Sequence, residues 1–218
     1  LLESVFISHL VKDFEVINFG FGGYNTAQEA EYLDYKVKKY NPDLIILQYT
    51  LNDFEPIVQE TNCKINLINL PVSCDIKQAL TDIRTFYLIR SAIYGLQPHE
   101  NDFSNLVKSI ALNEERWNED VRKPLQKFYD NSMGITENKP LLIITPLLLD
   151  FDNYEWDYLH KNITIIANEV GFEVIDLFPY FSEFEYKELT ISEFDPYHPN
   201  KVGHEIIAEV IKDKIEPN

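Results

Sequence analysis

Three short apolar runs alternate with helix-like stretches along this chain, and that alternation restricts the fold more than any other feature. The runs are Asp43–Tyr49, Pro140–Pro146 and Gly171–Leu177, and helical periodicity occupies roughly 26–40 and 154–170. A strand that is covered by helices on both faces has a nearly continuous apolar sequence. Strands that alternate with helices build a parallel sheet. The sequence therefore predicts an α/β fold with a doubly wound parallel sheet.

Two further elements are predicted near the ends of the chain. Glu15–Phe19 has the apolar content of a short buried strand. Thr26 and Glu29 have the spacing of a capping box, which predicts the start of the helix that runs to about position 40. Val202, Ile206 and Val210 recur at helical spacing behind Asn200, a residue type that favours the N-cap. The pattern predicts that residues 201–215 close the fold as a helix.

The middle of the chain is less regular. Residues 54–140 hold predicted helices near 82–95 and 115–130, without repeats or low-complexity tracts. A chain of 218 residues that is 45% hydrophobic can bury one sizeable core. We therefore expect a single domain over 1–218, in which 54–140 is a mostly helical insertion that covers one end of the sheet.

The charge balance argues against two classes of partner. Asp and Glu total 36 against 19 Lys and Arg, so the formal net charge is -17. Such a chain repels nucleic-acid phosphates and anionic membrane surfaces. No apolar run approaches the roughly 20 residues that a membrane-spanning helix needs, and a soluble chain is predicted. Cys63 and Cys74 could close a hairpin as a disulfide or remain two thiols, and neither alternative fixes the compartment or the oligomeric state.

The most specific local pattern is Asp195-Pro-Tyr-His198, directly before the last helix. An acyl-transfer enzyme needs an imidazole as its base and a carboxylate that holds the imidazole in one tautomer. A separation of three residues on one turn can supply both groups. The alternative is a surface loop in which Asp195 caps a turn and His198 is solvated.

Two other segments lie where predicted strands end. Asn18–Thr26 is a glycine-rich turn, in which a backbone N–H can approach a reacting oxygen closely. Thr50–Asp53 places the amide of Asn52 after a strand. Each segment taken alone is equally an ordinary structural turn. The glycine turn lacks the Gly-x-Gly-x-x-Gly and Gly-Lys-Ser/Thr patterns of phosphate loops, so an unrelated nucleotide-binding domain is disfavoured.

Taken together, these segments resemble the sequence blocks of the SGNH (GDSL-type) hydrolases. The resemblance implies that Gly23 and Asn52 form the oxyanion hole, and that Asp195 and His198 are the Asp and His of a Ser-His-Asp triad. It implies a flavodoxin-like three-layer α/β/α fold and hydrolysis of carboxylic esters. The substrate would be a small-molecule, glycan or lipid ester, with a lipid, short acyl or O-acetyl group.

The chain departs from the family pattern in two places. Thr50 replaces the usual glycine of the Asn-Asp block, and the Gly-Asp-Ser block is absent. Ser4 and Ser8 do not follow Gly-Asp and are expected on a helix surface. We expect a partial chain from which the N-terminal strand and the nucleophilic serine are missing, so that this chain alone is inactive. The alternative is a natural, non-catalytic module that binds glycans or acylated ligands.

No metal or other cofactor is predicted. His160 and His204 invite a metal site, but no set of His, Asp, Glu and Cys has a recognisable zinc spacing. His204 is expected to be structural or solvated. Tyr24, Tyr49 and Tyr197 adjoin the motif segments, where they either pack in the core or shape an acyl or sugar pocket.

Overall fold

A computed structural model describes most of the chain outside its central segment, over residues 14–21, 24–54, 114–192 and 195–216. The chain divides into two compact units, one formed by 1–54 with 118–218 and the other by 55–117. The predicted helix near 82–95, the two cysteines and Gly23 lie outside the described residues. The elements that carry the site all belong to the first unit.

The sheet has three parallel strands in the described residues. They are β1 (Ile46–Thr50), β2 (Leu141–Thr145) and β3 (Glu173–Asp176), in the order β1-β2-β3. Thr50 lies opposite Thr145, so β1 and β2 end at the same edge of the sheet. The three apolar runs of the sequence therefore form strands as predicted, with slightly shorter bounds.

The helices of the described residues precede, separate and follow these strands along the chain. In chain order they are α1 (Thr26–Tyr32), which continues as a π-helical turn (Leu33–Val37) and a 3-10 turn (Lys38–Tyr40), α2 (Glu114–Arg116), a π-helical turn (Trp117–Arg122), α3 (Lys123–Met133), a 3-10 turn (Phe151–Asn153), α4 (Asp157–Val170), α5 (Phe178–Phe181), α6 (Tyr186–Leu189) and α7 (Lys201–Ile215). The bounds of α7 agree with the sequence prediction. None of these helices has the length and apolar character needed to cross a bilayer.

The core is centred on β2. All five residues of β2 are buried, and because successive side chains of a strand point to opposite faces, both faces of β2 are covered. Leu141 and Ile143 belong to a buried cluster that also contains Ile207 and Ile211 of α7. This cluster holds the last helix against the sheet and so fixes the start of α7, where the candidate histidine lies.

The predicted strand at Glu15–Phe19 is wrong, because residues 14–20 form no strand and Ile17 is exposed. The apolar residues of a short run indicate that it can be buried, whereas a strand also needs a hydrogen-bonded neighbouring strand. In the described sheet, β1 pairs on one side only, with β2. The ring of Phe19 instead contacts Tyr40, with ring centroids 5.2 Å apart.

The predicted cap of α1 is displaced by one residue. Asn25, not Thr26, is the N-cap, and its side chain accepts the N–H of Gln28 at 3.1 Å. The side chain of Gln28 accepts the N–H of Asn25 in return, also at 3.1 Å. Asn competes well with Thr for this position, and Gln closes a capping box as Glu does. Thr26 is therefore inside the helix, where it is buried.

Candidate active site

Asp195 and His198 are in direct contact. The His198 Nδ1 lies 2.9 Å from Oδ1 and 2.8 Å from Oδ2 of Asp195. The Asp195 Oδ1 also accepts the backbone N–H groups of Tyr197 at 3.0 Å and of His198 at 3.1 Å. The carboxylate therefore closes a turn and holds the imidazole at once, so the two alternatives for this motif coexist in one geometry.

The contact with Asp195 fixes the tautomer of the His198 imidazole. Because a carboxylate only accepts hydrogen bonds, Nδ1 carries the hydrogen and Nε2 of the neutral ring keeps its lone pair. The His198 side chain is 70% exposed, while that of Asp195 is 25% exposed. Nε2 makes no hydrogen bond to any of the described residues. The ring can therefore accept a proton at Nε2 from a group that approaches it.

The segment 195–200, called the histidine loop below, is closed at its base by backbone hydrogen bonds. The Ile191 N–H donates to the carbonyl of His198 at 3.2 Å, and the Asn200 N–H donates to the carbonyl of Leu189 at 2.6 Å. Thr190 and Pro199 form an antiparallel bridge. These contacts tie the C-terminal half of the loop to the last residue of α6 and to the two residues that follow it.

Asn200 joins the histidine loop to α7. Its Oδ1 accepts the N–H groups of Val202 at 2.8 Å and Gly203 at 3.2 Å, as an N-cap does. Its Nδ2 donates to the carbonyls of Glu188 at 2.8 Å and Thr190 at 3.2 Å. The predicted N-cap is thus confirmed, and the same side chain also anchors the loop to the end of α6.

Thr190 supports the loop from beneath. Its hydroxyl lies 2.6 Å from the carbonyl oxygen of Asp195 and 2.8 Å from that of Ser192. Thr190 is only 8% exposed, and its single hydroxyl hydrogen is shared between these two carbonyl acceptors. Thr190 could not be recognised from the sequence, because no local pattern shows that a threonine before a loop will turn back to hold it.

A hydrogen bond connects the histidine loop to the sheet. The Leu148 N–H, three residues beyond the end of β2, donates to the carbonyl of Pro196 at 2.8 Å. Leu148 is 2% exposed. The loop therefore lies at the carboxyl edge of the sheet, which is where parallel α/β folds bind their ligands.

Asn52 lies at the same edge of the sheet, two residues beyond β1. Asp53 closes the turn around Asn52, since its N–H donates to the carbonyl of Thr50 and its Oδ2 accepts the N–H of Thr50, both at 2.9 Å. Thr50, which replaces the glycine usual in the family, is therefore compatible with this turn. Among the described residues, no hydrogen bond joins Asn52 to Asp195 or His198, so the amide of Asn52 remains a candidate donor placed by the strand alone.

The glycine-rich segment is described only in part. The Gly20 N–H donates to Oδ1 of Asn18 at 2.7 Å, and the Tyr24 N–H donates to the carbonyl of Phe21 at 3.1 Å. Gly23, the other predicted oxyanion donor, lies outside the described residues. The segment leads directly into the capping box of α1, which places its end at a helix N-terminus.

Buried polar atoms lie at the start of α1 and on β1. Three side-chain oxygens, Thr26 Oγ1, Glu29 Oε2 and Tyr49 Oη, have no hydrogen-bond partner in the described part of the chain. Burial raises the pKa of Glu29 from 4.5 to about 7. Burial also raises the pKa of Tyr49, and the charges of Asp53, Glu29 and Asp120 add to that shift. Tyr49 is fully buried, so it belongs to the core and does not line an open pocket.

The described residues contain two further histidines, on α7 and α4. His204 lies in the first turns of α7, where its N–H donates to the carbonyl of Asn200 at 3.0 Å. His160 is buried and pairs with Asp176. The sequence indicates His160 only as a candidate for a metal site, because no local pattern points to Asp176 as its partner.

The motif geometry agrees with the comparison of the chain with known families. Residues 2–206 match the model of the GDSL-like lipase/acylhydrolase family, which is most of the 218 residues. The chain belongs to that family. The GDSL fold is a three-layer α/β/α arrangement, so the predicted fold class and the predicted family are both confirmed. Membership supports an esterase or acylhydrolase activity in general. No curated protein and no solved structure matches the chain.

Proposed function

We propose that this GDSL-family domain hydrolyses carboxylic esters with His198 as the general base and Asp195 as its partner. The observation that carries the proposal is the Asp195–His198 contact at 2.8 Å, which leaves Nε2 open at the carboxyl edge of the sheet. Proton transfer by a positioned imidazole requires both features. The substrate class is a lipid, short acyl or O-acetyl ester.

The proposed reaction uses a serine from a Gly-Asp-Ser block, which this chain does not contain. The serine Oγ attacks the ester carbonyl carbon while its proton passes to Nε2 of His198. The tetrahedral intermediate then collapses, the alcohol leaves with the proton from Nε2, and the acyl group stays on Oγ. Water repeats the sequence on the acyl-enzyme and releases the carboxylic acid.

The oxyanion hole completes the proposal. Gly23 N–H and the side-chain amide of Asn52 donate to the oxygen that gains negative charge in the intermediate. Donors placed in advance at that position account for a large part of the rate enhancement in acyl transfer. The support for Asn52 is its place after β1, at the edge where the histidine loop is held through Leu148.

The test compares ester hydrolysis by the 218-residue chain and by the full-length gene product. Both are assayed with p-nitrophenyl acetate and with longer acyl chains under identical conditions. We expect turnover by the full-length protein and none above background by the chain alone. Activity in neither form would contradict the proposal and would favour a non-catalytic module that binds glycans or acylated ligands. Equal activity in both forms would show that a Gly-Asp-Ser serine is not the nucleophile.

A further inference from the structure

A second histidine–aspartate pair, in which the histidine is fully buried and the aspartate is partly exposed, lies between α4 and the end of β3. The His160 Nδ1, on α4, is 2.7 Å from Oδ1 of Asp176, the last residue of β3. His160 is 0% exposed. The same Asp176 oxygen accepts the N–H of Phe178 at 3.0 Å. A buried polar group of this kind is costly unless it is fully paired, so the other ring nitrogen needs a partner as well.

That partner is Tyr154. Its Oη lies 3.0 Å from Nε2 of His160, and it accepts the N–H of Leu147, also at 3.0 Å. Since Oη receives the Leu147 hydrogen, its own hydrogen points to Nε2 of a neutral imidazole, whose Nδ1–H points to Asp176. Every donor then has an acceptor. Burial raises the pKa of Tyr154, which keeps the hydroxyl protonated.

Ring packing restrains the tyrosine further. The ring of Phe178 stacks on that of Tyr154, with centroids 4.4 Å apart and planes inclined by 22°. The His160 ring lies 5.7 Å from each of these two rings. The hydroxyl of Tyr154 is therefore held both by its hydrogen bonds and by the aromatic contacts around it.

The N–H that Tyr154 accepts is adjacent in the chain to the one that holds the histidine loop. Leu147 donates to Tyr154, and the next residue, Leu148, donates to the carbonyl of Pro196. Pro196 lies between Asp195 and His198. Both leucines are almost fully buried, at 1% and 2% exposed. The two N–H groups lie on consecutive peptides that share the Cα of Leu147, so a backbone shift at Leu147 would disturb both hydrogen bonds.

We propose that Tyr154, oriented by His160 and Asp176, is a positioning residue for the Asp195–His198 pair. It fixes the segment after β2, on which the histidine loop rests through the Leu148–Pro196 hydrogen bond. The effect of Tyr154 on turnover rests on the proposed function. Its effect on the position of the histidine loop does not. Catalytic pairs need support of this kind, because a small displacement of a reacting group lowers turnover strongly.

The test replaces Tyr154 by phenylalanine, which keeps the ring and removes the hydroxyl. Tyr158→Phe is the matched control. Tyr158 lies in the first turn of α4, shortly after Tyr154, but is 37% exposed. In the 218-residue chain, we expect Tyr154→Phe to speed amide hydrogen exchange at Leu148 by about tenfold or more and to shift the NMR resonances of His198. Tyr158→Phe should change neither.

A conservative pair of variants separates positioning from loss of stability. Asp176→Asn keeps an oxygen that accepts from Nδ1 of His160 and from the Phe178 N–H, whereas Asp176→Ala removes it. Asn should therefore retain the His198 resonances of the wild type, and Ala should reproduce the changes of Tyr154→Phe. In an active full-length protein, Tyr154→Phe should lower kcat by about tenfold and leave KM within about twofold.

Two outcomes would overturn the inference. One is Tyr154→Phe with unchanged His198 resonances and unchanged Leu148 exchange, even if the free energy of unfolding falls. The other is an active full-length Tyr154→Phe with wild-type kcat. If the full-length protein shows no ester hydrolysis at all, the proposed function fails, while the NMR comparison still decides whether Tyr154 positions the histidine loop.

Discussion

At the scale of single residues, Asp195 shows why a short motif supports two interpretations. Its carboxylate accepts two backbone N–H groups and also the imidazole of His198. A capped turn and a catalytic pair are therefore not competing structures at this position. The sequence could place Asp195 and His198 on one turn, but the backbone contacts that orient the carboxylate are visible only in the structure.

Replacement of Asp195 by asparagine tests the electrostatic role apart from the turn. Asn keeps an oxygen for the N–H groups of Tyr197 and His198, so we expect the fold to persist. It loses the charge that fixes the tautomer of His198 and stabilises the imidazolium. In the full-length protein, kcat should fall by about 10³-fold or more. Ester turnover is measured beside circular dichroism, and a folded variant with near wild-type kcat would contradict the role of Asp195.

Glu29 makes a separate prediction about pH. Its pKa is raised to about 7 from 4.5 by burial, so the folded state holds a proton that the unfolded state releases between these two values. The stability contribution is full below about pH 4.5 and is lost as the pH rises through 7. The Gln side chain of Glu29→Gln stays neutral at every pH. The free energy of unfolding of this variant, relative to the wild type, should therefore rise by about 2 kcal/mol from pH 5 to pH 8.

Urea unfolding of both proteins at pH 5 and pH 8 measures this difference. Glu209→Gln is the matched control, because Glu209 is an exposed residue of α7. Because this side chain is exposed, the Glu209→Gln difference from the wild type should change less between the two pH values than the Glu29→Gln difference does. A Glu29→Gln difference that is equal at the two pH values would show that Glu29 is ionised in the folded protein across the whole interval.

At the scale of elements, the start of α7 is packed too closely for a side chain on Gly203. A Cβ there would lie 2.7 Å from Cβ of Pro199 and 3.3 Å from the carbonyl oxygen of Leu189. Gly203→Ala must therefore push α7 away from the histidine loop. We expect a loss of about 1–3 kcal/mol in the free energy of unfolding, as in other overpacked sites, together with lower ester turnover in the full-length protein.

The matched control for Gly203→Ala is Gly134→Ala. Gly134 follows α3 with φ at -77°, and a Cβ there would approach no atom closer than 3.4 Å. Its free energy of unfolding should change by less than about 1 kcal/mol. Equal losses for the two variants in thermal or urea unfolding would show that the contact between Gly203 and Pro199 does not limit the approach of α7.

The elements divide into those that the sequence specifies locally and those that depend on partners. The strands β1, β2 and β3 and the helices α4 and α7 follow from apolar runs and helical periodicity, because each of these patterns lies within one continuous segment of the chain. Glu15–Phe19 has a similar composition but forms no strand in the structure. Whether a segment forms a strand depends on its pairing with a distant segment, and local composition carries no information about that pairing.

The candidate site divides in the same way. Asp195 and His198 are three residues apart, so their contact could be predicted from spacing. Thr190 and the Leu148–Pro196 hydrogen bond could not, because they join segments that only the fold brings together. Tyr154 was not recognised either, since its partners His160 and Leu147 lie on different segments around it.

At the scale of the whole molecule, the account depends on convergence at the carboxyl edge of a parallel sheet. β1 leads to Asn52, β2 leads to Leu148 and thereby to the histidine loop, and β3 ends at Asp176, which supports Tyr154 through His160. Family membership supports a general esterase or acylhydrolase activity for the chain.

The most direct measurement of the central claim is kcat/KM for p-nitrophenyl acetate with full-length wild type, His198→Ala and His204→Gln. His204→Gln is the histidine control, since His204 lies on α7 outside the proposed machinery. The account predicts that His198→Ala lowers kcat/KM by about 10³-fold or more, as expected for loss of a triad member, while His204→Gln stays within a few-fold of wild type. A folded His198→Ala protein with wild-type kcat/KM would contradict the assignment of the base.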